Sequence, residues 1–324
     1  MTGADKMNKH TPIKPPASLL ERANEIYNFG AELRRPSQDV PKRPPFAEPQ
    51  PVAEEAPEHK PAAAPVEPVE PATFVPQAAA KVRAQIDRAA LRAANYIDPD
   101  GPVTGLSEEF RIVKRQLLLA ARGGKGLEAI EHGERILICS ANPNEGKTFC
   151  AVNLALSMAT EKDNRVLLVD ADFAKPSVLA RLGIDGGRGL MDALANPDID
   201  VEDLVIETDI AGLSVLPAGA QTNQDTEYLA AARSAAVLDA LTRHDPSRII
   251  IFDSPPALAA SPASVLALHV GQAVMVVHAD VTTDSALRDA LSLLSGCEHI
   301  QLLLNRTKFS PTGRKFGNYY GYGA

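Results

Sequence analysis

Residues Ser140-Ala-Asn-Pro-Asn-Glu-Gly-Lys-Thr148 constrain this chain more than any other stretch. They follow an apolar run suited to a strand (Ile136-Leu-Ile-Cys139) and open an Ala-rich helical pattern from Cys150 to Ala159. Strand, loop, Gly-Lys-Thr and helix in succession is the layout of a nucleotide phosphate cradle. Backbone N–H groups and a helix N-terminus face the anion, Lys147 adds a point charge, and the Thr148 hydroxyl can ligate Mg²⁺. The strict pattern has Gly six residues before the Lys, where this chain has Ala141. Asn144, in the middle of the loop, tolerates the left-handed backbone such a turn needs.

Two acidic strand ends point the same way. Arg165-Val-Leu-Leu-Val-Asp170-Ala-Asp172 is an apolar run closing on two carboxylates, and Arg248-Ile-Ile-Ile-Phe-Asp253-Ser-Pro-Pro256 closes on one. In an open parallel sheet, ligands bind at the carboxyl ends of the strands. Both runs therefore deliver Asp to the edge that carries the phosphate loop. Mg²⁺ needs only one or two carboxylates besides phosphate oxygens and water. Asp also serves as an ordinary cap or turn residue, but three such signals in this order make that use insufficient.

From Arg135 onward, candidate strands at 135–140, 165–170, 213–217, 248–253, 273–278 and 300–305 alternate with candidate helices. The helices fall at 147–160, 176–182, 188–195, 225–243, 260–269 and 284–295. Alternation predicts an α/β fold of the P-loop kind, with a mostly parallel central sheet flanked by helices. Upstream, Ala80–Ala94 reads as helical, and Leu106–Ala120 as a helix capped by Ser107. Glu108, Arg111 and Lys114 share one face of that second helix, a pattern that a solvated charged stripe also gives.

Residues 36–76 hold 12 of the 26 prolines, which predicts an extended linker. Ser18–Arg34 reads as a short amphipathic helix, either frayed or a docking peptide. The expected organisation is thus a disordered segment over 1–79 and a nucleotide-binding domain over 80–324, whose tail, 307–324, is flexible. A formal charge of −8 argues against a nucleic-acid surface. Cys139, Cys150 and Cys297 have no paired spacing, as expected of reduced thiols in a cytoplasmic protein. No run approaches the ~18 apolar residues of a membrane span.

With these motifs in place, residues 80–324 resemble the bacterial tyrosine kinases of exopolysaccharide assembly, and more narrowly the exosortase-associated tyrosine autokinases. Ser140–Thr148 matches the family's Walker A loop, Asp170-Ala-Asp172 its Walker A′ motif and Asp253-Ser-Pro-Pro its Walker B. Glu108, Arg111 and Lys114 match a Glu-x-x-Arg-x-x-Arg contact motif, with Lys in place of the last Arg; this implies a homo-oligomer, possibly a ring. Asn305 matches the strand-end Asn that recognises adenine. Ala174 replaces the Arg usual after Walker A′, and Lys175 adjoins it.

The resemblance implies ATP and Mg²⁺ as cofactors, and roles for particular residues. Lys147 would hold the β- and γ-phosphates, and Thr148, Asp172 and Asp253 the Mg²⁺. Ser140, Asn144, Glu145, Gly146 and Phe149 would line the nucleotide, and Asp170 would accept the tyrosine proton. Tyr319, Tyr320 and Tyr322, three of the chain's six tyrosines, lie among Gly317, Gly321 and Gly323 at the C-terminus and would be the phospho-acceptors. The implied partners are a membrane-embedded chain-length determinant and a tyrosine phosphatase, with the chain cytoplasmic and peripheral at the inner face of the membrane. Two other readings stay open: a partition or cell-division positioning ATPase, although Asn142 stands where that group carries an extra Lys, and a nucleotide-gated scaffold for polysaccharide chain-length control.

Overall fold

The structure is a computed structural model, which describes residues 83–124 and 126–308. The chain divides into two units, Met1–Phe74 and Val75–Ala324, and every described residue belongs to the second. The expected helix at Ser18–Arg34, the Pro-rich linker and the tyrosine cluster lie outside the described residues.

Seven strands form one sheet: β1 (Arg135–Ser140), β2 (Arg165–Asp170), β3 (Ile206–Glu207), β4 (Leu213–Leu216), β5 (Arg248–Asp253), β6 (Gln272–His278) and β7 (Ile300–Asn305). Their order is β3-β4-β2-β5-β1-β6-β7. All neighbours pair in parallel except the two-residue β3, which pairs antiparallel with β4. β1 lies between β5 and β6. The chain leaves it toward β2 on one side and later returns to add β6 and β7 on the other. That reversal opens a crevice at the carboxyl end of β1, and the Gly-Lys-Thr loop emerges there.

β1 and β5 are buried along their whole length, because helices cover both faces. Successive residues point to opposite sides, so Leu137 and Cys139 join one core while Ile136 and Ile138 join the other. The second core is roofed by α1 (Arg88–Ala93), α2 (Gly105–Arg122), α3 (Lys147–Ala159) and α4 (Val178–Leu182). The first is roofed by α5 (Leu190–Ala195), α6 (Asp225–Ala230), α7 (Ala232–His244), α8 (Pro262–Leu266) and α9 (Asp284–Leu293). Every residue of α3 from Cys150 to Ala159 is buried, as befits a helix held between the sheet and α2. Each large side chain so enclosed contributes about 1.5–3 kcal/mol.

Two local expectations need correcting. Thr104, not Ser107, is the N-cap of α2, and Ser107 is its reciprocal partner in a capping box. In the Ala80–Ala94 segment the helix runs only from Arg88 to Ala93, with Asp87 as its cap. Ahead of it Ala84 forms a bridge to Thr208, and Arg88 is anchored to Asp209 at 2.8 Å. The segment is therefore a strap fastened to the sheet edge.

Candidate nucleotide and phosphoryl-transfer site

The loop after β1 carries two residues of left-handed backbone, Asn144 (φ 65°) and Gly146 (φ 101°). Such turns curl peptide N–H groups around an anion. Gly146 is also the N-cap of α3 and offers that helix no side-chain cap, so first-turn N–H groups remain for a ligand. Ser140 acts as a brace, its buried Oγ donating to the Asn142 carbonyl at 2.9 Å. The buried Glu145 turns its carboxylate back into the loop. It accepts from the Asn142 N–H at 3.0 Å, from Asn142 Nδ2 at 3.1 Å and from Thr282 Oγ1 at 2.6 Å. Its side chain is thus a structural tie, which leaves its backbone N–H to face a ligand.

β2 and β5 are neighbours, and Asp170 and Asp253 stand in register. Lys147 Nζ donates to Asp172 Oδ2 at 2.7 Å and lies 3.7 Å from Asp253 Oδ1. Thr148 Oγ1 donates to Asp253 Oδ2 at 2.6 Å. Asp253 is fully buried, and its Oδ1 has no hydrogen-bond partner among the described residues. Burial pushes its carboxyl up from 3.8 to about 7 against the pull of Lys147, since a desolvated charge is costly. An orphaned carboxylate oxygen beside a threonine hydroxyl is an oxygen donor set suited to Mg²⁺. No cluster of three His, Cys, Asp or Glu side chains that could cage a metal occurs among the described residues. That is compatible with an ion whose other oxygens come from phosphate and water.

Asp170 is buried differently. Its Oδ2 accepts from the N–H groups of Ser177 (2.8 Å) and Val178 (2.9 Å), and its Oδ1 from that of Asp172 at 3.3 Å. Burial nevertheless raises its proton affinity. Lys175 lies exposed on the loop after β2, its N–H donating to Asp172 Oδ1 at 3.2 Å. On the far side of the site, Asn305 Nδ2 donates to the Glu145 carbonyl at 2.9 Å. Phe149 stacks with Tyr96 at a centroid distance of 5.3 Å. Lys147, Thr148, Asp170, Asp172 and Asp253, from three separate segments, therefore meet around one point, with Asn305 against the loop itself.

The Glu108–Arg111–Lys114 face is not continuous. Glu108 and Arg111 form an ion pair with each other. Lys114 is 5% exposed and turns inward to donate to the Ser157 carbonyl at 2.7 Å and to Thr160 Oγ1 at 3.2 Å, with Glu161 at 2.8 Å. It caps the C-terminus of α3, where a cation complements exposed carbonyls.

Sequence reasoning missed three contributors. Ser177 Oγ lies 3.4 Å from Thr148 Oγ1, and a Ser just ahead of a short helix carried no special signal. Thr282 was hidden in a loop. Asn153, inside the apolar α3, accepts from the Ile97 N–H at 2.8 Å and donates to the Phe149 carbonyl at 3.0 Å; a buried Asn in an Ala-rich helix was its only trace.

The AAA domain family profile matches residues 134–307, more than half of the chain. The chain belongs to the AAA domain family. Within that family it is similar to bacterial tyrosine-protein kinases. It is 28% identical over 230 residues to the tyrosine-protein kinase YwqD of Bacillus subtilis, covering 70% of this chain and 91% of that one. It is 29% identical over 190 residues to the tyrosine-protein kinase Wzc of Salmonella typhimurium, covering 58% of this chain but only 26% of Wzc. The solved VpsO kinase domain superposes with a TM-score of 0.52 at 28% identity, covering 62% of this chain and 96% of that one.

Proposed function

We propose that this AAA domain protein is an ATP-dependent protein-tyrosine autokinase that phosphorylates Tyr319, Tyr320 and Tyr322 in trans within a homo-oligomer. The observation that carries the reading is one cluster in which Lys147 bonds Asp172, Thr148 bonds Asp253, and Asp253 Oδ1 is left buried without a hydrogen bond among the described residues. Lys147 leaves Asp172 to hold the β- and γ-phosphates, while the backbone of Asn144–Phe149 wraps the phosphates and Asn305 reads the adenine. Thr148, Asp253 and Asp172 are the residues that would hold Mg²⁺, which when bound would supply neutralisation of the phosphate charge. The tyrosine Oη forms a bond to the γ-phosphorus as the bond to the β–γ bridging oxygen breaks, and ADP leaves with that oxygen. The phenolic proton passes to Asp170 Oδ1, the oxygen engaged among the described residues only by the long contact from Asp172. Free tyrosine titrates near ~10, so a carboxylate of raised proton affinity suits this acceptance.

Added phosphate charge on neighbouring tails then loosens the assembly by repulsion, and a tyrosine phosphatase resets it. Among the described residues no helix is long and apolar enough to cross a membrane. A membrane-embedded chain-length determinant is accordingly the partner proposed to bring the enzyme to the inner face of the membrane and couple it to exopolysaccharide export. The test is incubation of the full chain with ATP and Mg²⁺, followed by mass-spectrometric mapping of phosphate. Lys147→Met should lower tail phosphotyrosine at least ~100-fold. If changing all three tail tyrosines to Phe leaves phosphotyrosine undiminished, the acceptor assignment fails. ATP hydrolysis without any phosphotyrosine would instead indicate a positioning ATPase.

A further inference from the structure

Asn305 is fixed from behind and reaches forward. It ends β7 in register with His278 of β6, and its carbonyl accepts from the Ala279 N–H at 3.0 Å. Its side chain crosses to the phosphate loop, where Nδ2 donates to the Glu145 carbonyl at 2.9 Å, while Oδ1 accepts from the Arg306 N–H at 2.9 Å. The approach is close enough that a Cβ placed on Gly146 would stand 2.2 Å from Asn305 Nδ2. Gly146 is therefore demanded twice, by its left-handed φ and by this amide. Glu145 is gripped at its other end as well, because its carboxylate accepts from Thr282, which itself accepts from the His278 N–H at 2.9 Å. The carboxyl ends of β6 and β7 thus hold one residue of the phosphate loop by its main chain and by its side chain.

We propose that Asn305 is a positioning residue of the phosphate loop: it sets the Glu145–Gly146 turn, and so the aim of the amides that receive the phosphates. This goes beyond reading the base. A side-chain amide has two N–H hydrogens and two acceptor sites on its oxygen. Glu145 and Arg306 take one of each, which leaves one donor and one acceptor, the pair that the N7/N6 edge of adenine matches. One side chain therefore links the base end of the site to its phosphate end. The base half rests on the ATP reading above, whereas the bracing half rests on the contacts alone.

The test uses the full chain with Asn305→Ala and Asn305→Asp. The Asp variant keeps the shape and the acceptor for Arg306 but sets a carboxylate oxygen against the Glu145 carbonyl. Without ligand, amide hydrogen exchange at Asn142 and Cys150, whose N–H groups donate to Glu145 Oε2 and to the Gly146 carbonyl, should accelerate about fivefold to tenfold in both variants, the loss of one hydrogen bond. Titration with Mg²⁺ plus inorganic tripolyphosphate, which has no base, should show a similar fold-loss of affinity. Unchanged exchange in both variants, or full tripolyphosphate affinity beside weakened ATP, would overturn the bracing role and leave Asn305 a base reader. If the wild type binds neither ATP nor tripolyphosphate, the ATP reading fails, and the exchange rates still decide the bracing.

Discussion

The two ends of the same three strands handle charge in opposite ways. At the amino end β1, β2 and β5 begin with Arg135, Arg165 and Arg248, and each guanidinium meets a carboxylate. Arg135 donates to Asp239 at 2.6 Å, Arg165 lies 3.2 Å from Asp245, and Arg248 pairs with Glu202. There the Arg135 guanidinium holds Asp239 below the usual carboxylate range. At the carboxyl end Asp170, Asp172 and Asp253 crowd around Lys147, and burial lifts Asp253 to about 7. Charge closed upon itself stabilises a fold. Charge left in excess, with an oxygen unpartnered, stabilises a complex.

The sharpest test of that contrast is Asp253→Asn. It should abolish Mg²⁺-dependent nucleotide affinity, by ~100-fold or more in a calorimetric titration, and yet raise the melting temperature. The carboxyl titrates at 3.8 when unfolded and about 7 when folded. Its favourable contribution is therefore complete below 3.8 and lost as pH rises through 7. The gain from Asn should be clear at pH 8, ~5 °C or more, and should shrink toward pH 5. A melting temperature that falls equally at both pH values would refute it.

Next in size, Arg248→Met at the opposite end should cost about 3 kcal/mol in denaturant unfolding by removing buried hydrogen bonds to Glu202 and to the Leu241 carbonyl. The nucleotide Kd of the folded fraction should stay within about twofold, because the substitution sits across the sheet from the ligand; a large change in Kd would break the separation of roles. Smallest, Lys114→Met should cost ~1 kcal/mol through the loss of its bonds at the end of α3. The oligomer mass measured by light scattering should be unaltered. Dissociation without destabilisation would return Lys114 to the interface.

Strands buried on both faces left continuous apolar runs such as Arg248–Asp253, and those runs mark the sheet faithfully. The phosphate loop was legible because Gly146-Lys-Thr148 is chemistry written in consecutive residues. Three kinds of information were not. β3 is two residues long and pairs only at an edge, too short for periodicity to register. The expected helix over 225–243 breaks at Ala231, whose extended backbone (φ −68°, ψ 150°) carries no Gly or Pro to announce it; Ser234 Oγ bonding to the Tyr228 carbonyl at 2.7 Å holds the corner. Lys114 occupies the same helical row as Glu108 and Arg111, and only the crossing of α2 over the end of α3 decides that its ammonium faces inward.

The contact between Lys147 and Asp172 makes the resting site an interlock. A triphosphate arriving alone would have to pull the ammonium away and strand a largely buried carboxylate. On the proposed ATP reading, a triphosphate escorted by a divalent cation would replace one ion pair with two. Escorted and unescorted nucleotide would then be discriminated before any phosphoryl group moves, by a single side chain that must change partners.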